Sequence, residues 1–258
     1  MIKKILKKIN EKIFFFKPKV KKKNLTIKHI GTIYGGYDIC IDLISNPVVI
    51  SCGLGEDASF DIDMINDYNA KVICVDPTPR AIKYFDSIKN NFGQDKQKNY
   101  NETGKIEIES YNLKRVNSKN FMLICKAIWS TGNQDLKLFY PDNENHVSLS
   151  INEKTGYEQK KYFLSKTISL NEIIHEKKLA KVDILKLDIE GAELDVIERL
   201  LIDHEKFKLP DQLIVEFDIR RRPNLNTFLK LKKLHRKIEN FYDLIYINKK
   251  GDFTYLKN

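Results

Sequence analysis

The stretch ILKLDIEGAELDVIERLL, residues 184–201, decides how this chain reads. Its first part is an apolar run of strand length, its second part has helical spacing, and Glu190-Gly191 marks where the helix starts. Charges interrupt the apolar run. Strand side chains alternate, so Lys186 and Asp188 share one face, and both approach the carboxyl end of the strand. Charged groups in a buried strand are costly unless they are paired or used. The question is what the rest of the chain brings to that point.

Outward from this stretch, strand and helix alternate. NPVVISCG (46–53) and AKVICVDP (70–77) read as buried strands, followed by helices over DASFDIDMINDYN, with Asp57 as its N-cap, and RAIKYFDSIKN. KIEIES, FMLICKAIW and LKLFYP read as further strands, and SLNEIIHEKKL opens with a capping box of Ser169 and Glu172. DQLIVEFD (211–218) is the next strand, NTFLKLKKLHRKIEN a helix, and YDLIYINKKGDFTYL a hairpin turning near Gly251. Residues 142–162, DNENHVSLSINEKTGYEQKKY, read as a polar excursion outside the core. The alternation predicts an α/β domain with a mainly parallel sheet covered on both faces and an antiparallel C-terminal hairpin.

In such sheets ligands bind beyond the carboxyl ends of the strands, at the switch in strand order. The strand ending in SCGLGED offers Gly53 and Gly55, where the backbone turns sharply and lets a ligand approach. Asp76, 23 residues after Gly53, stands where a ribose-binding acid belongs; it also fits as a cap for the helix behind it. The third glycine of a GxGxxG loop is missing. That favours a nucleoside cofactor without a pyrophosphate over a dinucleotide, and S-adenosylmethionine is the candidate. At the tip of the next strand, Glu216 and Asp218 repeat the arrangement of Lys186 and Asp188. These four groups read either as a reactive constellation or as a structural network such as Lys186 with Glu216.

Charge is unevenly placed. Ten lysines and one glutamate fall in residues 1–23, and eight Lys or Arg with no acid fall between Arg220 and Lys237. The formal net charge is +10, so the rest of the chain is mildly acidic, which suggests local anchoring rather than a nucleic-acid-binding body. Residues 1–16 have the spacing of a basic amphipathic helix, read as a lipid-surface contact or as a helix packed on the domain; residues 1–23 form an appended segment and 24–258 the domain. Cys40, Cys52, Cys74 and Cys125 show no metal-ligand spacing and read as buried reduced thiols of a cytoplasmic protein, peripheral at most on the inner membrane face. No apolar run is long enough to span a bilayer.

The segments YGGYDI, VVISCGLGEDASFD, VICVDPTPRAI, AIWSTGNQDLKLFYP, NHVSLS, DILKLDIEGAELDVI and QLIVEFD resemble, in order, the FkbM-type branch of S-adenosylmethionine-dependent methyltransferases. The resemblance spans roughly residues 30–220. It implies a class I Rossmann-like methyltransferase fold, a seven-stranded sheet whose last strand is antiparallel, and O-methylation of a sugar or other small hydroxyl compound, in one setting surface polysaccharide. The chain departs from the family pattern at GLGED and at Leu149, where relatives carry a second histidine near His146.

Cofactor contacts are expected from Gly53, Gly55 and Asp76 with their neighbours Ser51, Glu56, Pro77 and Thr78, from Tyr34, Gly35 and Gly36 over the methionine end, and from Lys126 and Ala127 around the adenine. Asp188 is the leading catalytic residue, as base or acceptor anchor, with Lys186 stabilising charge and Glu216 and Asp218 orienting the hydroxyl. Asp188, Glu216 and Asp218 also have the oxygen ligands to hold Mg²⁺, although a metal is not favoured. His146 reads as general base or as a solvated loop histidine. Glu190, Arg220, Arg221 and Arg222 are expected to touch the acceptor, the arginines engaging a phosphorylated or nucleotide-linked sugar if the cluster is not simply a solvated face. The rival readings are a nucleic-acid or protein methyltransferase, for which no basic aromatic groove is visible, a non-catalytic membrane-peripheral binding protein, and a dinucleotide oxidoreductase.

Overall fold

In the computed structural model, which describes residues 13–21, 24–102, 104–142, 149–151, 157–221 and 223–258 (157–160 and 221 by backbone alone), the chain enters through a short antiparallel pair. The pair is β1 (Ile27–Ile30) and β2 (Tyr37–Cys40). Next come β3 (Val48–Cys52), helix α1 (Ser59–Tyr68), β4 (Lys71–Val75), α2 (Pro79–Lys89) and β5 (Phe121–Ile124). β6 (Ala127–Ile128), β7 (Asp135–Pro141) and β8 (Tyr157–Ile168) form a separate three-stranded sheet. The chain then returns through α3 (Leu170–Glu176), β9 (Ile184–Leu187), α4 (Glu193–Ile202), β10 (Gln212–Val215) and α5 (Leu225–Ile238). It ends in the hairpin β11 (Tyr242–Ile247) and β12 (Phe253–Lys257).

The main sheet has seven strands in the order β11-β12-β10-β9-β3-β4-β5. Only β12 runs against its neighbours. This is the seven-stranded, mostly parallel Rossmann-like sheet with an antiparallel last strand that the family resemblance implies. The order reverses between β3 and β9. From β3 the chain winds outward through β4 to β5, then crosses back to β9 on the other side of β3.

Alternation along each strand feeds two cores. Val49, Val72, Cys74, Ile184 and Ile214 face α1 and α2, whereas Ile50, Ile73, Leu185, Leu187, Leu213 and Val215 face α3, α4 and α5. With both faces covered, these strands are apolar almost without interruption, and a charge such as Lys186 stands out.

Several local expectations change. KIEIES contains a short 3-10 turn, Ile108–Ser110, not a strand. FMLICKAIW is not one strand: β5 stops at Ile124, and Ala127–Ile128 pairs with β8 in the other sheet. Part of the polar excursion is structured, since β8 begins at Tyr157 and Leu149 and Ser150 are buried. The N-cap of α1 is Ala58, although Asp57 Oδ1 still accepts from Ser59 N at 2.9 Å. The Ser169–Glu172 capping box forms as read. Cys125 is exposed, unlike the other three cysteines. Among the described residues no helix is long and apolar enough to cross a membrane.

Candidate active site at the strand-order switch

A cavity of about 900 Å³ opens over the carboxyl ends of β3, β4, β9 and β10. Its floor is set by one close approach. Gly53 follows β3 with φ +88°, and a Cβ there would lie 1.9 Å from the carbonyl oxygen of Asp188, just beyond β9. Only glycine lets these two chain segments pass so closely. Gly55 differs. It has φ +58°, lines the cavity, and a Cβ there would meet nothing within 4 Å. The backbone at Gly55 is bare toward open space, which fits a ligand lying against it.

Asp76, after β4, braces this loop. Its Oδ2 accepts from Leu54 N at 2.9 Å and Gly55 N at 3.1 Å, and its Oδ1 accepts from Thr78 N at 2.8 Å. A carboxylate offers about four acceptor positions. The backbone takes three of them, so Asp76 retains one for a ligand hydroxyl. Thr78 caps α2 with its side chain, and Pro79 stands in the first turn. Glu56 grips Arg80 with both oxygens, at 3.2 and 2.7 Å. Gly35 fits because a Cβ would strike the Asp57 carboxyl, which accepts from Thr32 Oγ1 at 2.6 Å.

Lys186 answers the question raised by its strand. It is 4% exposed, its Nζ donates to the carbonyl of Gly53, and it stands 4.9 Å from the centre of the Tyr37 ring. Its charge also acts inward. Burial pushes the Asp61 carboxyl on α1 upward in pKa, and the Lys186 ammonium pulls it back. Burial likewise raises the Cys52 thiol to about 12 against the same opposing charge.

Tyr37 was not anticipated. It is 3% exposed, lines the cavity, and donates its hydroxyl to Asp188 Oδ2 at 2.6 Å. Burial first, then the Asp188 carboxylate, raise its pKa far above the usual tyrosine value, so it acts as a neutral donor. Lys250, from the β11–β12 turn, flanks the same ring at 5.1 Å and donates to the carbonyls of Tyr34 at 2.8 Å and Gly36 at 3.0 Å. The aromatic ring therefore has two ammonium groups near it, an arrangement that favours fixed positions for all three.

Beyond Asp188 the chain turns before α4, which begins at Glu193 rather than at Glu190. Glu190 has φ +50°, and its carbonyl accepts from Ser150 Oγ at 2.9 Å. Glu193 Oε1 accepts from Gly191 N at 2.9 Å and holds the turn. Its carboxyl is fully buried, and burial, aided by Asp218 and Asp188, lifts its pKa to about 8.

The cavity thus gathers most of the expected residues: Tyr34, Gly35, Gly53, Gly55, Glu56, Asp76, Pro77, Thr78, Ala127, Lys186, Asp188, Glu190, Glu216 and Asp218 all line it. Leu136 and Leu138 of the three-stranded sheet, with Leu149 packed against them, add an apolar wall. Four expected residues are placed elsewhere. Ser51 is buried in the sheet beside Lys186, and Gly36 and Lys126 do not line the cavity. Arg220 donates to the carbonyls of Phe16 at 3.0 Å and Gly251 at 2.8 Å, a structural use of its guanidinium. His146 and Arg222 lie outside the described residues, as does the side chain of Arg221. Among the described residues no three His, Cys, Asp or Glu side chains gather as a metal site. Tyr37 sat in the quoted YGGYDI segment, and its even spacing with the buried Ile39 was the available signal; nothing local marked Lys250.

Comparison with known proteins gives one extended match: the family model for the Methyltransferase FkbM domain covers residues 49–243. No curated protein matches. Among solved structures, the FkbM methyltransferase of Methylobacillus flagellatus KT is similar at 11% identity and a TM-score of 0.46, over 82% of this chain and 43% of that one. This chain therefore spans under half the length of that protein. A fibrillarin/Nop5p complex structure aligns at 9% identity and a TM-score of 0.43, over 83% of this chain and 73% of that one.

Proposed function

This chain belongs to the FkbM methyltransferase family, and from that premise we propose that it moves a methyl group from S-adenosylmethionine to a hydroxyl of a saccharide or related small molecule. The observation that carries this reading is the Tyr37–Asp188 pair, set at the strand-order switch beside the Gly53–Gly55 loop. The bare backbone at Gly55 and the spare acceptor position of Asp76 suit a nucleoside. A volume of about 900 Å³ leaves room for a small acceptor as well.

When bound, S-adenosylmethionine supplies a methyl group already activated on a sulfonium. The protein's remaining tasks are to orient the acceptor and take its proton. Tyr37 holds Asp188 Oδ2, which leaves Oδ1 to receive the hydroxyl proton. Lys186 and Lys250 fix the Tyr37 ring and thereby the angle of that carboxylate. Leu136, Leu138 and Leu149 give the cavity an apolar side that disfavours water there. Arg220 is engaged by two backbone carbonyls, so it has no part in holding the acceptor in this reading.

The test is calorimetry with S-adenosylhomocysteine, then a saccharide panel scored by methyl-donor consumption. Asp188→Ala should retain nucleoside binding and lose turnover. The reading fails if S-adenosylhomocysteine does not bind, or if Asp188→Ala turns over as fast as the unaltered protein.

A further inference from the structure

The described end of the N-terminal segment packs beside the second basic cluster, about 200 residues further along the chain. Phe14 and Phe16 set their rings 6.4 and 6.2 Å from that of Phe228 on α5. Phe16 is 6% exposed and belongs to the main core. Arg220 ties its carbonyl, and the same guanidinium stands 4.3 Å from the Phe15 ring. The end of the N-terminal segment is thus pinned beside α5.

Exposed apolar side chains and cations stand together around this anchor. Leu225 and Leu229 are 55% and 52% exposed, and Ile13 and Phe15 are 62% and 45% exposed. Leu225, Leu229, Lys232 and Arg236 follow one another at helical spacing on the outward side of α5, opposite the buried Leu231, Leu234 and Ile238. Phe228, which receives the Phe14 ring, borders that stripe. Lys17 and Lys19, just after the phenylalanines, are exposed too.

We propose that Ile13, Phe15, Leu225 and Leu229, with Lys232 and Arg236 around them, dock the protein on an anionic phospholipid bilayer. Exposed aliphatic side chains gain nothing from the phosphates of a nucleic acid. Under lipid headgroups they leave water while the cations stay at the charged surface. A second copy of this chain is a poor occupant, because two faces each carrying the acid-free 220–237 cluster repel. Arg220 joins this face to the carbonyl of Gly251, next to the cavity residue Lys250.

Sedimentation of the full chain with vesicles tests the proposal. It should pellet with phosphatidylcholine vesicles containing phosphatidylglycerol, and not with phosphatidylcholine alone. The double variant Leu225→Gln, Leu229→Gln alters exposed positions only. It should keep the thermal midpoint and lose about tenfold or more in vesicle affinity. High salt should weaken binding of the unaltered chain. Failure to pellet with anionic vesicles overturns the proposal, as does equal pelleting by the variant. A gel shift with nucleic acid, or a dimer by light scattering, without vesicle binding also overturns it.

Discussion

The two glycines of the GLG loop should respond to alanine in opposite ways. At Gly53 a methyl group would stand 1.9 Å from the Asp188 carbonyl oxygen, and the backbone has φ +88°. The left-handed conformation alone costs about 1–2 kcal/mol for a side-chain-bearing residue. The clash must also be relieved by parting the two segments by about 1 Å or more, since carbon and oxygen that are not bonded rest above about 3 Å. That movement strains the bond from Asp188 N to the carbonyl of Cys52, now 3.2 Å, and the buried contact of Lys186 Nζ with Gly53 O. A stretched bond costs about 1 kcal/mol and a poorly satisfied buried ammonium more, so Gly53→Ala should lose about 3–5 kcal/mol. Gly55→Ala pays only the conformational cost, partly offset by a stiffer unfolded chain, and should lose about 1 kcal/mol or less. Its methyl group enters the cavity, however, and should weaken S-adenosylhomocysteine binding by about tenfold while stability barely moves. Urea denaturation followed by circular dichroism gives the first pair of numbers, and calorimetry gives the last. If the two variants lose the same stability, the close approach at Gly53 does not position the switch point as described.

Glu193 makes stability depend on pH. Its folded pKa of about 8 exceeds its ordinary value of 4.5, so the unfolded chain releases the proton more readily. Its contribution is full below about pH 4.5 and is lost as pH rises to about 8, amounting to a few kcal/mol. Glu193→Gln keeps an oxygen for Gly191 N, and should flatten the fall in urea midpoint between pH 5 and 9; an unchanged slope would show that the buried carboxyl is not its source. Tyr37→Phe keeps the ring between Lys186 and Lys250 but removes the hydrogen bond to Asp188. It should leave S-adenosylhomocysteine affinity within about threefold and lower turnover about 10- to 100-fold, as expected for a bond to a charged acceptor; unaltered turnover would remove Tyr37 from the mechanism.

The sheet was legible because its strands are covered on both faces. ILKL, VVISC, KVICV and QLIV are short apolar runs closed by glycine, proline or acid, and each forms a strand of the main sheet. Their carboxyl ends carry Gly53, Asp76, Asp188 and Glu216, so the site followed from the strand ends. Smaller elements were not legible. β2 is four residues long and mixes Tyr37 and Asp38 with apolar neighbours. The break between β5 and β6 falls at Cys125–Lys126, where one lysine in an otherwise apolar stretch does not signal a change of sheet and tertiary pairing with β8 decides. β8 was hidden by its lysines and glutamate, which belong on a strand of a small, partly open sheet. Arg220 and Lys250 illustrate the same limit. Their partners are Phe16 and the Tyr34–Gly36 backbone, about 200 residues away in sequence, and charge patterning does not encode such distances.

Lys186 shows how a costly residue organises a site. A buried ammonium must find compensation, and removing one partner of such a charge typically costs about 3–5 kcal/mol. Here the compensation comes from three directions: the Gly53 carbonyl on β3's exit loop, the face of Tyr37 on β2, and the field of Asp61 on α1. Each belongs to a different element, so satisfying one charge draws those elements into register with β9. The Gly53 loop then faces Asp76, and Tyr37 reaches Asp188. The buried Lys186 thus adds to the β3–β9 ladder, which already sets the Gly53 loop against Asp188, a tie that also brings Tyr37 of β2 to the acceptor carboxylate.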